Sequence, residues 1–305
     1  MTSPSNNLPI AIIGASSMVG SRFCELFTKR KLIKSDLGGK ISVDIISQTS
    51  VAKFFENFNF EWIIQFSAYT NVDAAEKQRG DKKGSCWQIN VQGTKNIVNF
   101  CQKFKKKLIF LSTDFVFDGT NGPYDEDKPK GPDFNKISWY GITKIEAEEE
   151  ILRKSSDSII LRIAYPYRGK FKDKDDIVKR ILRLYRQGTL YPLFTDQIIT
   201  PTFIDDLSPA IDLLIDQKQK GIFHLVSPKS TTQYNFAKYL INLFKGDSSK
   251  LKKGSVRHYL ENLNVTPRPI KGGLNVEKIK KLGFIPTDWQ SGLEIIKRQS
   301  QGQLI

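Results

Sequence analysis

A tyrosine and a lysine stand four residues apart in the segment Tyr140-Gly141-Ile142-Thr143-Lys144. On an α-helix, residues four apart lie on the same face, one turn from each other. A positive charge about 4 Å from a phenol, at an effective dielectric constant of about 20, stabilises the phenolate by about 4 kcal/mol. That energy lowers the phenol pKa by on the order of three units from its usual value near 10. The pair therefore predicts a proton donor, although the same spacing also arises by chance on helices without a catalytic role.

Hydroxyl and carboxylate side chains follow an apolar run upstream, in Leu108-Ile109-Phe110-Leu111-Ser112-Thr113-Asp114. The run predicts a buried parallel strand with its polar residues at the carboxyl end. In open α/β sheets, ligands bind at that end of the strands. We therefore expect Thr113 and Tyr140 to converge on one crevice if the sheet is doubly wound.

The alternation of apolar runs and helical patterns predicts an α/β fold with a doubly wound parallel Rossmann sheet. Strands are predicted at 10–13, 43–46, 60–66, 108–114 and 158–163, and helices at 51–58, 87–104 and 140–151. Beyond residue 165 helices are predicted at 175–186, 203–215, 232–244 and 276–281, and a strand at 221–226. We expect an NAD(P)-binding Rossmann domain over 1–165 and a smaller α/β substrate-binding domain over 166–305, with part of 197–218 returning to the first domain.

A turn of small residues, Gly14-Ala15-Ser16-Ser17-Met18-Val19-Gly20, joins the first predicted strand to the first helix. Gly14 permits a tight turn and Gly20 a close approach of helix and strand, so the helix N-terminus would face a pyrophosphate. Ser17 stands where a dinucleotide-binding fingerprint has its middle glycine. An ordinary turn between a strand and a helix would show a similar pattern.

The preferred nicotinamide cofactor depends on the residues that follow the second strand. The stretch 32–40 contains no apolar run and no evident acidic residue for a ribose 2′-hydroxyl, and Lys40 lies nearby. An acidic residue there selects NAD, whereas a basic one accommodates the 2′-phosphate of NADP. We therefore expect NADPH to be accepted at least as well as NADH, unless Asp36 or Asp44 binds the ribose.

The composition is that of a soluble protein with a sizeable core. The chain has 305 residues, of which 39% are hydrophobic, and no apolar run approaches the length of a membrane span. The polar segment 1–9 lacks the charged and apolar regions of a signal peptide. We therefore expect a cytoplasmic protein without a membrane partner.

The charge balance favours an anionic ligand. Lysine and arginine number 47 against 32 acidic residues, a net charge of +15. Most basic runs fall at predicted helix ends, which is typical of solvated surface. No zinc-finger, RRM or KH signature is present, so no nucleic-acid partner is expected.

The cysteines and histidines indicate no disulfide and no metal site. Cys24, Cys86 and Cys101 lie without paired spacing in predicted helices and are expected to be small buried apolar residues. His224 and His258 are far apart in the sequence, which argues against a metal site based on histidine.

Six strings, in order along nearly the whole chain, resemble the extended short-chain dehydrogenase/reductase family and most closely its dTDP-4-dehydrorhamnose reductase branch. They are GASSMVG at 14–20, SAYTNVDAAE at 67–76, STDFVFDG at 112–119, YGITK at 140–144, GIFHLV at 221–226 and RPIKGGLNVEKI at 268–279. STDFVFDG followed by Tyr-x-x-x-Lys is specific to the family, and the Arg-Pro loop indicates the branch. The resemblance implies an NAD(P)H-dependent reductase of a 4-keto nucleotide sugar, and we expect a homodimer.

The resemblance also implies roles for individual residues. Tyr140 would be the acid–base residue, Lys144 its activator and a ribose ligand, and Thr113 the hydroxyl that holds the substrate carbonyl. The residues on the cofactor side would be Gly14, Ser17, Met18, Val19, Gly20, Asp44, Ile45, Ser67, Ala68 and Tyr69. Those on the substrate side would be Asp114, Phe115, Tyr165 and Arg268. Phe115 and Tyr165 replace a tyrosine and a tryptophan of the family, so a different sugar preference is expected, unless Phe115 only packs against the following loop.

Two other functions are compatible with the same strings. Relatives of this fold include a regulatory subunit, the methionine adenosyltransferase β subunit, because a fold does not by itself determine a function. An epimerase or dehydratase would need further acid–base groups near the strand end, and Asp114-Phe115 supplies no obvious pair.

Overall fold

A six-stranded sheet with the order β2-β1-β3-β4-β5-β7 organises the protein, which a computed structural model describes over residues 8–131, 133–262 and 265–304. β1 pairs in parallel with β2 and β3, and β3 with β4. The chain winds outward from β1 in both directions, which confirms the doubly wound Rossmann-like α/β fold. The strands are β1 Ile10–Ile13, β2 Leu32–Ser35, β3 Trp62–Gln65, β4 Lys107–Thr113, β5 Ile159–Ile163, β6 Leu193–Phe194, β7 Gly221–His224 and β8 Lys253–Gly254.

Twelve α-helices are found within the described ranges. They are α1 Met18–Leu26, α2 Gln48–Asn57, α3 Val72–Glu76, α4 Ser85–Trp87, α5 Thr94–Lys103, α6 Trp139–Lys154, α7 Ile177–Arg186, α8 Leu207–Asp216, α9 Gln233–Leu243, α10 Val256–Leu260, α11 Glu277–Lys281 and α12 Trp289–Gln299. A π-helical turn, Gln88–Gly93, joins α4 to α5. The predicted helices are present within a few residues of their expected ends, whereas α3, α10, α12 and the short β6–β8 pair were not predicted.

The second strand lies elsewhere than predicted. The expected strand at 43–46 is wrong: β2 is Leu32–Ser35, at the edge of the sheet. An edge strand contacts the core less, and only Ser35 of its four residues is buried, so no apolar run marks it. Val43 and Ile45 belong instead to a loop and are buried in the hydrophobic core beside α2.

The chain divides into two compact units that are interleaved along the sequence. The first comprises residues 1–112, 139–161 and 211–222, and the second 113–138, 162–210 and 223–305. The core of the first unit includes Ala11, Phe55, Ile63, Ile97 and Phe110. The core of the second unit packs α7, α9 and α12 around residues that include Tyr167, Leu240 and Leu293. The expected NAD(P)-binding domain over 1–165 and the expected substrate-binding domain over 166–305 stay predictions.

The cysteines lie on three helices of the first unit. Cys86 and Cys101 are buried and Cys24 is half-buried, all with free thiols. Burial raises the pKa of Cys24 to about 11. Among the described residues, no cluster of histidine, cysteine and carboxylate side chains is arranged for a metal ion. No helix in those ranges has both the length and the apolar character of a membrane span.

Candidate active site

The turn between β1 and α1 is closed by two glycines and a serine cap. Gly14 has a φ of +85°, and a Cβ at this position would lie 2.7 Å from the backbone nitrogen of Ser67. A Cβ at Gly20 would lie 2.1 Å from the carbonyl oxygen of Gly14. Ser17 caps α1: its Oγ accepts from the Gly20 N–H (3.0 Å) and donates to the Gly14 carbonyl (2.7 Å). The side chain that replaces the middle glycine is therefore bonded within the turn, and the helix N-terminus fits a pyrophosphate.

An acidic residue, Asp36, directly follows β2. Its carboxylate accepts from the backbone N–H of Ser16, 3.1 Å from Oδ1 and 2.9 Å from Oδ2, and Oδ1 also accepts from Ser16 Oγ (2.9 Å). Carboxylates at the end of the second strand of such sheets bind a ribose 2′-hydroxyl. Of the two acidic alternatives in the sequence, Asp36 is therefore the one at this position, which was not evident because the polar edge strand β2 could not be recognised from its sequence.

Asp44 and Ile45, predicted on the adenine side, lie in the loop that precedes α2. The carbonyl of the buried Ile45 accepts from Asn96 Nδ2 at 2.8 Å. The Asp44 carboxylate accepts from the backbone of Ile46 (2.9 Å), and its own N–H donates to Ser50 Oγ (3.0 Å). The loop is therefore held at both residues, and its contact with a cofactor stays a prediction.

The segment Ser67–Tyr69 leaves the carboxyl end of β3 next to the glycine turn. The backbone N–H groups of Phe66 and Ser67 both donate to the Ile13 carbonyl, at 2.8 and 3.2 Å. The close approach of Gly14 to Ser67 places two of the predicted cofactor-binding segments side by side. Ser67, Ala68 and Tyr69 thus lie where the sequence predicted them, at a strand end beside the turn.

Tyr140 and Lys144 lie one turn apart at the start of α6, and both are buried. Lys144 Nζ donates to the carbonyl of Leu111 on β4 at 2.6 Å and lies 3.8 Å from the centroid of the Phe110 ring. Burial lowers the pKa of Lys144 to about 7, against the opposing effect of Glu148. The lysine is therefore fixed in position, and its charge changes close to neutral pH.

In the second unit, Thr113 and Asp114 share a hydrogen bond at the end of β4. Thr113 Oγ1 donates to Asp114 Oδ1 (3.1 Å) and accepts from the Phe115 N–H (3.2 Å). Asp114 is 2% exposed, and its Oδ2 has no hydrogen-bond partner among the described residues. Burial raises the pKa of Asp114 to about 7 despite the hydrogen bond from Thr113. Near neutral pH, the Asp114 carboxyl group is therefore protonated in part of the molecules.

The other predicted substrate-side residues belong to the same unit. The Arg268 guanidinium lies 6.0 Å from the ring centroid of Phe115. Burial and the nearby Asp114 carboxylate together raise the pKa of the Tyr165 phenol to about 12. Tyr165 also has a hydrogen-bonding neighbour in the Gln233 side chain. Asp114, Phe115, Tyr165 and Arg268 therefore form one connected group.

The loop that carries Arg268 is clamped from two sides. On one side, Lys271 N donates to the Gly119 carbonyl (2.7 Å) and Gly122 N to the Lys271 carbonyl (3.0 Å). On the other, Gln197 Nε2 donates to the carbonyl of Pro269 at 3.0 Å. Gln197 is fully buried, and its Oε1 accepts from Gln233 at 2.8 Å. These bonds hold the loop of Arg268 against segments that are far from it in the sequence.

Sequence reasoning missed Asn90, Thr143, Gln197 and Gln233, and it named Asp36 only as an alternative. Asn90 bonds to the main chain of Tyr69, and Thr143 to the carbonyl of Tyr140. The helix predicted at 87–104 contains three asparagines, Asn90, Asn96 and Asn99, so residue type alone did not single out Asn90. Nothing in the sequence singled out the two glutamines.

The chain is similar in sequence to named proteins of other organisms. Over 290 residues the chain is 28% identical to the dTDP-4-dehydrorhamnose reductase of Mycolicibacterium smegmatis, covering 93% of this chain and 84% of that protein. It is also 26% identical over 248 residues to the methionine adenosyltransferase 2 subunit beta of Xenopus laevis, covering 79% and 71%.

A solved structure shows the same architecture. The crystal structure of dTDP-4-dehydrorhamnose reductase from Bacillus anthracis, in complex with NADP, matches with a TM-score of 0.83 and 25% identity, over 96% of this chain and 99% of that one. The model of the RmlD substrate binding domain matches residues 8–301. The chain therefore belongs to the family of the RmlD substrate binding domain, within the extended short-chain dehydrogenase/reductases.

Proposed function

We propose that the protein reduces a 4-keto nucleotide sugar with NADH or NADPH, as the dTDP-4-dehydrorhamnose reductases do. The observation that carries this proposal is the Tyr140–Lys144 pair on α6, with Lys144 Nζ bonded to the Leu111 carbonyl. The glycine turn supports it, since Gly14 and Gly20 leave no room for a side chain where a dinucleotide approaches. A net charge of +15 suits a substrate that carries a diphosphate.

In this mechanism the bound nicotinamide supplies the hydride for the keto carbon. Tyr140 donates its proton to the oxygen that becomes an alkoxide, which is general acid catalysis. Lys144, in its charged form, is proposed to stabilise the phenolate that remains after the proton leaves. Thr113 is proposed to hold the substrate carbonyl, and its hydroxyl proton, which Asp114 Oδ1 accepts in this structure, would then turn to the substrate oxygen. Asp114, Phe115, Tyr165 and Arg268 are proposed to contact the sugar nucleotide.

Purified protein tests the proposal directly. A thermal-shift screen of nucleotide sugars with each nicotinamide cofactor should reveal the ligands, because binding at a hundredfold excess over Kd stabilises the folded state by about 2.7 kcal/mol. Oxidation of NAD(P)H in the presence of dTDP-4-dehydrorhamnose, or of another 4-keto sugar nucleotide found in the screen, is the expected result. Binding without turnover would favour the regulatory function.

The regulatory alternative rests on the similarity to the Xenopus laevis subunit. It predicts a complex with a catalytic partner chain, which co-purification with a methionine adenosyltransferase would detect. Sedimentation of the purified protein alone tests the proposed homodimer, and cell fractionation tests the proposed cytoplasmic location.

The Asp36→Asn variant tests how the cofactor is selected. In the wild type, the Asp36 carboxylate would accept a hydrogen bond from the 2′-hydroxyl of NADH and would repel the 2′-phosphate of NADPH. We expect the ratio of the NADPH Kd to the NADH Kd to fall about tenfold, which is about 1.4 kcal/mol. Fluorescence titration of both cofactors measures the two constants. An unchanged ratio would show that Asp36 only holds Ser16, and that the ribose is bound by other residues.

The Phe115→Tyr variant tests the sugar pocket. Phe115 is 8% exposed and lies near Arg268. A tyrosine at this position would add one hydroxyl that could form a hydrogen bond with an oxygen of the sugar. A hydrogen bond of this kind contributes about 0.5–1.5 kcal/mol. We expect wild-type protein to use dTDP-4-dehydrorhamnose modestly and the variant to raise kcat/KM up to about tenfold. An efficient wild type that the change does not improve would mean that Phe115 only packs.

A further inference from the structure

Two side-chain amides of the second unit, here called the glutamine relay, connect Tyr165 to the loop that carries Arg268. Gln197 Nε2 donates to the Pro269 carbonyl at 3.0 Å, and Gln233 Nε2 donates to Gln197 Oε1 at 2.8 Å. The Gln233 side chain is in turn a hydrogen-bond partner of the Tyr165 phenol. Gln197 is fully buried, so its two bonds lie in a region of low dielectric constant, where they are stronger than in water.

The acceptor at one end of the glutamine relay determines how both amides are oriented. The Pro269 carbonyl can only accept, so the amide nitrogen of Gln197 must face it. Gln197 therefore presents its oxygen to Gln233, which donates with its own nitrogen. The reverse orientation of Gln197 would place two oxygens against each other at Pro269. The relay therefore has one arrangement in which the buried amide of Gln197 is satisfied at both ends.

The main chain of the loop is packed independently of the glutamine relay. The Ile198 N–H donates to the Ile270 carbonyl at 2.9 Å, and a Cβ at Gly119 would lie 2.3 Å from the Cα of Pro269. The loop should therefore stay folded when the relay is removed. The relay acts on the residue that directly follows Arg268, so its loss should change the orientation of Arg268 before it changes the fold.

The other end of the relay is a residue with a strained backbone. Tyr165 has a φ of +43°, in the left-handed region. This conformation is uncommon for an aromatic residue and persists where the surroundings hold it, often at functional sites. The charges of Asp114 and Arg268 both act on the Tyr165 phenol, so these groups are near one another. The relay thus joins two residues of one connected group by a second route.

We infer that Gln197 and Gln233 are positioning residues that hold Arg268 and Tyr165 in a fixed arrangement for the sugar nucleotide. This inference rests on the proposed function, in which Arg268 and Tyr165 contact that substrate. Neither glutamine is proposed to touch the reacting atoms. Loss of the relay should therefore weaken binding of the sugar nucleotide and leave the proton transfer from Tyr140 little changed.

A double-mutant cycle tests whether Gln197 acts through Arg268. Gln197→Leu removes both hydrogen bonds of the central amide, and Arg268→Ala removes the guanidinium. Tyr167→Phe is the matched control, because Tyr167 is also fully buried in the same unit and its hydroxyl also donates to a main-chain carbonyl, that of Trp289, at 3.2 Å.

We expect Gln197→Leu to raise KM for the sugar nucleotide about tenfold, with kcat and the cofactor KM within about twofold of wild type. The double variant should have the KM of Arg268→Ala alone, within about twofold, because residues that act as one unit are not additive. Tyr167→Phe should lower Tm and leave KM unchanged. Additive effects of Gln197→Leu and Arg268→Ala would overturn the inference, as would equal KM values for Gln197→Leu and Tyr167→Phe.

Gln233→Leu is a milder variant, since it keeps the bond from Gln197 to Pro269 and breaks only the connection to Tyr165. It tests the inference even if Gln197→Leu does not fold. We expect it to raise KM for the sugar nucleotide about threefold at unchanged kcat. A wild-type KM in this variant would show that Tyr165 is held without the relay and would overturn the inference.

Hydrogen exchange provides a measurement that needs no substrate. The Lys271 amide, which bonds to the Gly119 carbonyl at 2.7 Å, should exchange faster in Gln197→Leu than in Tyr167→Phe, because its loop has lost one point of attachment. If wild-type protein reduces no nucleotide sugar, the proposed function fails, and this comparison alone decides whether the relay holds the loop. Equal exchange in the two variants would then refute the inference.

Discussion

Replacing Tyr140 by phenylalanine is expected to lower turnover by about 10²–10⁴, the usual contribution of a positioned acid–base group. The substitution keeps the ring, which is buried at the start of α6, and removes only the proton. The loss should therefore appear in kcat, with KM for both substrates little changed. Steady-state kinetics with NAD(P)H and the sugar nucleotide found in the binding screen measure it.

Tyr191→Phe serves as the control for this experiment. Tyr191 is 44% exposed and belongs to the second unit, so the same chemical change there should leave turnover at the wild-type level. Circular dichroism should show both variants folded. If Tyr140→Phe reduced its substrate at nearly the wild-type rate, the proton donor would have to be another group, and the mechanism would be refuted.

Replacing Asp114 by asparagine is expected to change how stability depends on pH. Burial raises the pKa of Asp114 from 3.8 to about 7. Between these values the folded protein binds a proton that the unfolded chain releases, so wild-type stability falls as pH rises through this range. A difference of about three units corresponds to roughly 4 kcal/mol, and we expect about 2–4 kcal/mol.

The measured quantity is the free energy of unfolding of wild type and variant, by urea titration, at about pH 4 and about pH 8. Relative to wild type, Asp114→Asn should gain about 2–4 kcal/mol between the two pH values. The unpartnered amide of the variant adds a cost of about 1–3 kcal/mol that is the same at both values, and it cancels in the difference.

A second variant that cannot titrate separates charge from packing. Asp114→Ala should differ from Asp114→Asn in its free energy of unfolding at each pH. Its gain in stability relative to wild type between the two pH values should be the same as that of Asp114→Asn. If either variant kept the wild-type dependence on pH, the loss of stability would have to arise from other carboxylates. Asp206, whose pKa burial raises to about 6, would be the next to examine.

Local patterns in the sequence were sufficient for the parts of the site that depend on a few neighbouring residues. The strand, turn and helix around 10–27 were recognisable because a buried strand requires apolar residues and the turn requires Gly14 and Gly20. The Tyr140–Lys144 spacing predicted their common helix face, since four residues make about one turn. Thr113 was predicted at a strand end because it directly follows an apolar run.

Features that depend on contacts between distant segments required the structure. Asp36 remained only an alternative because β2 is an edge strand, and its polar residues carry no periodic pattern. The link from Asn90 to Thr143 joins residues 53 positions apart. The group formed by Asp114, Tyr165 and Arg268 joins three separate segments.

The sequence by itself determined the fold class, most of the order of the elements and the identity of the proposed proton donor, because backbone periodicity and turn chemistry are local. Tertiary structure alone decided the state of the groups at the site. The pKa of Lys144 and of Asp114 is displaced chiefly by burial, which depends on what the rest of the chain packs around each group. The type and spacing of residues carry no information about what packs around each group. The charges of Lys144 and Asp114 at neutral pH therefore depend on the folded protein and cannot be read from the sequence.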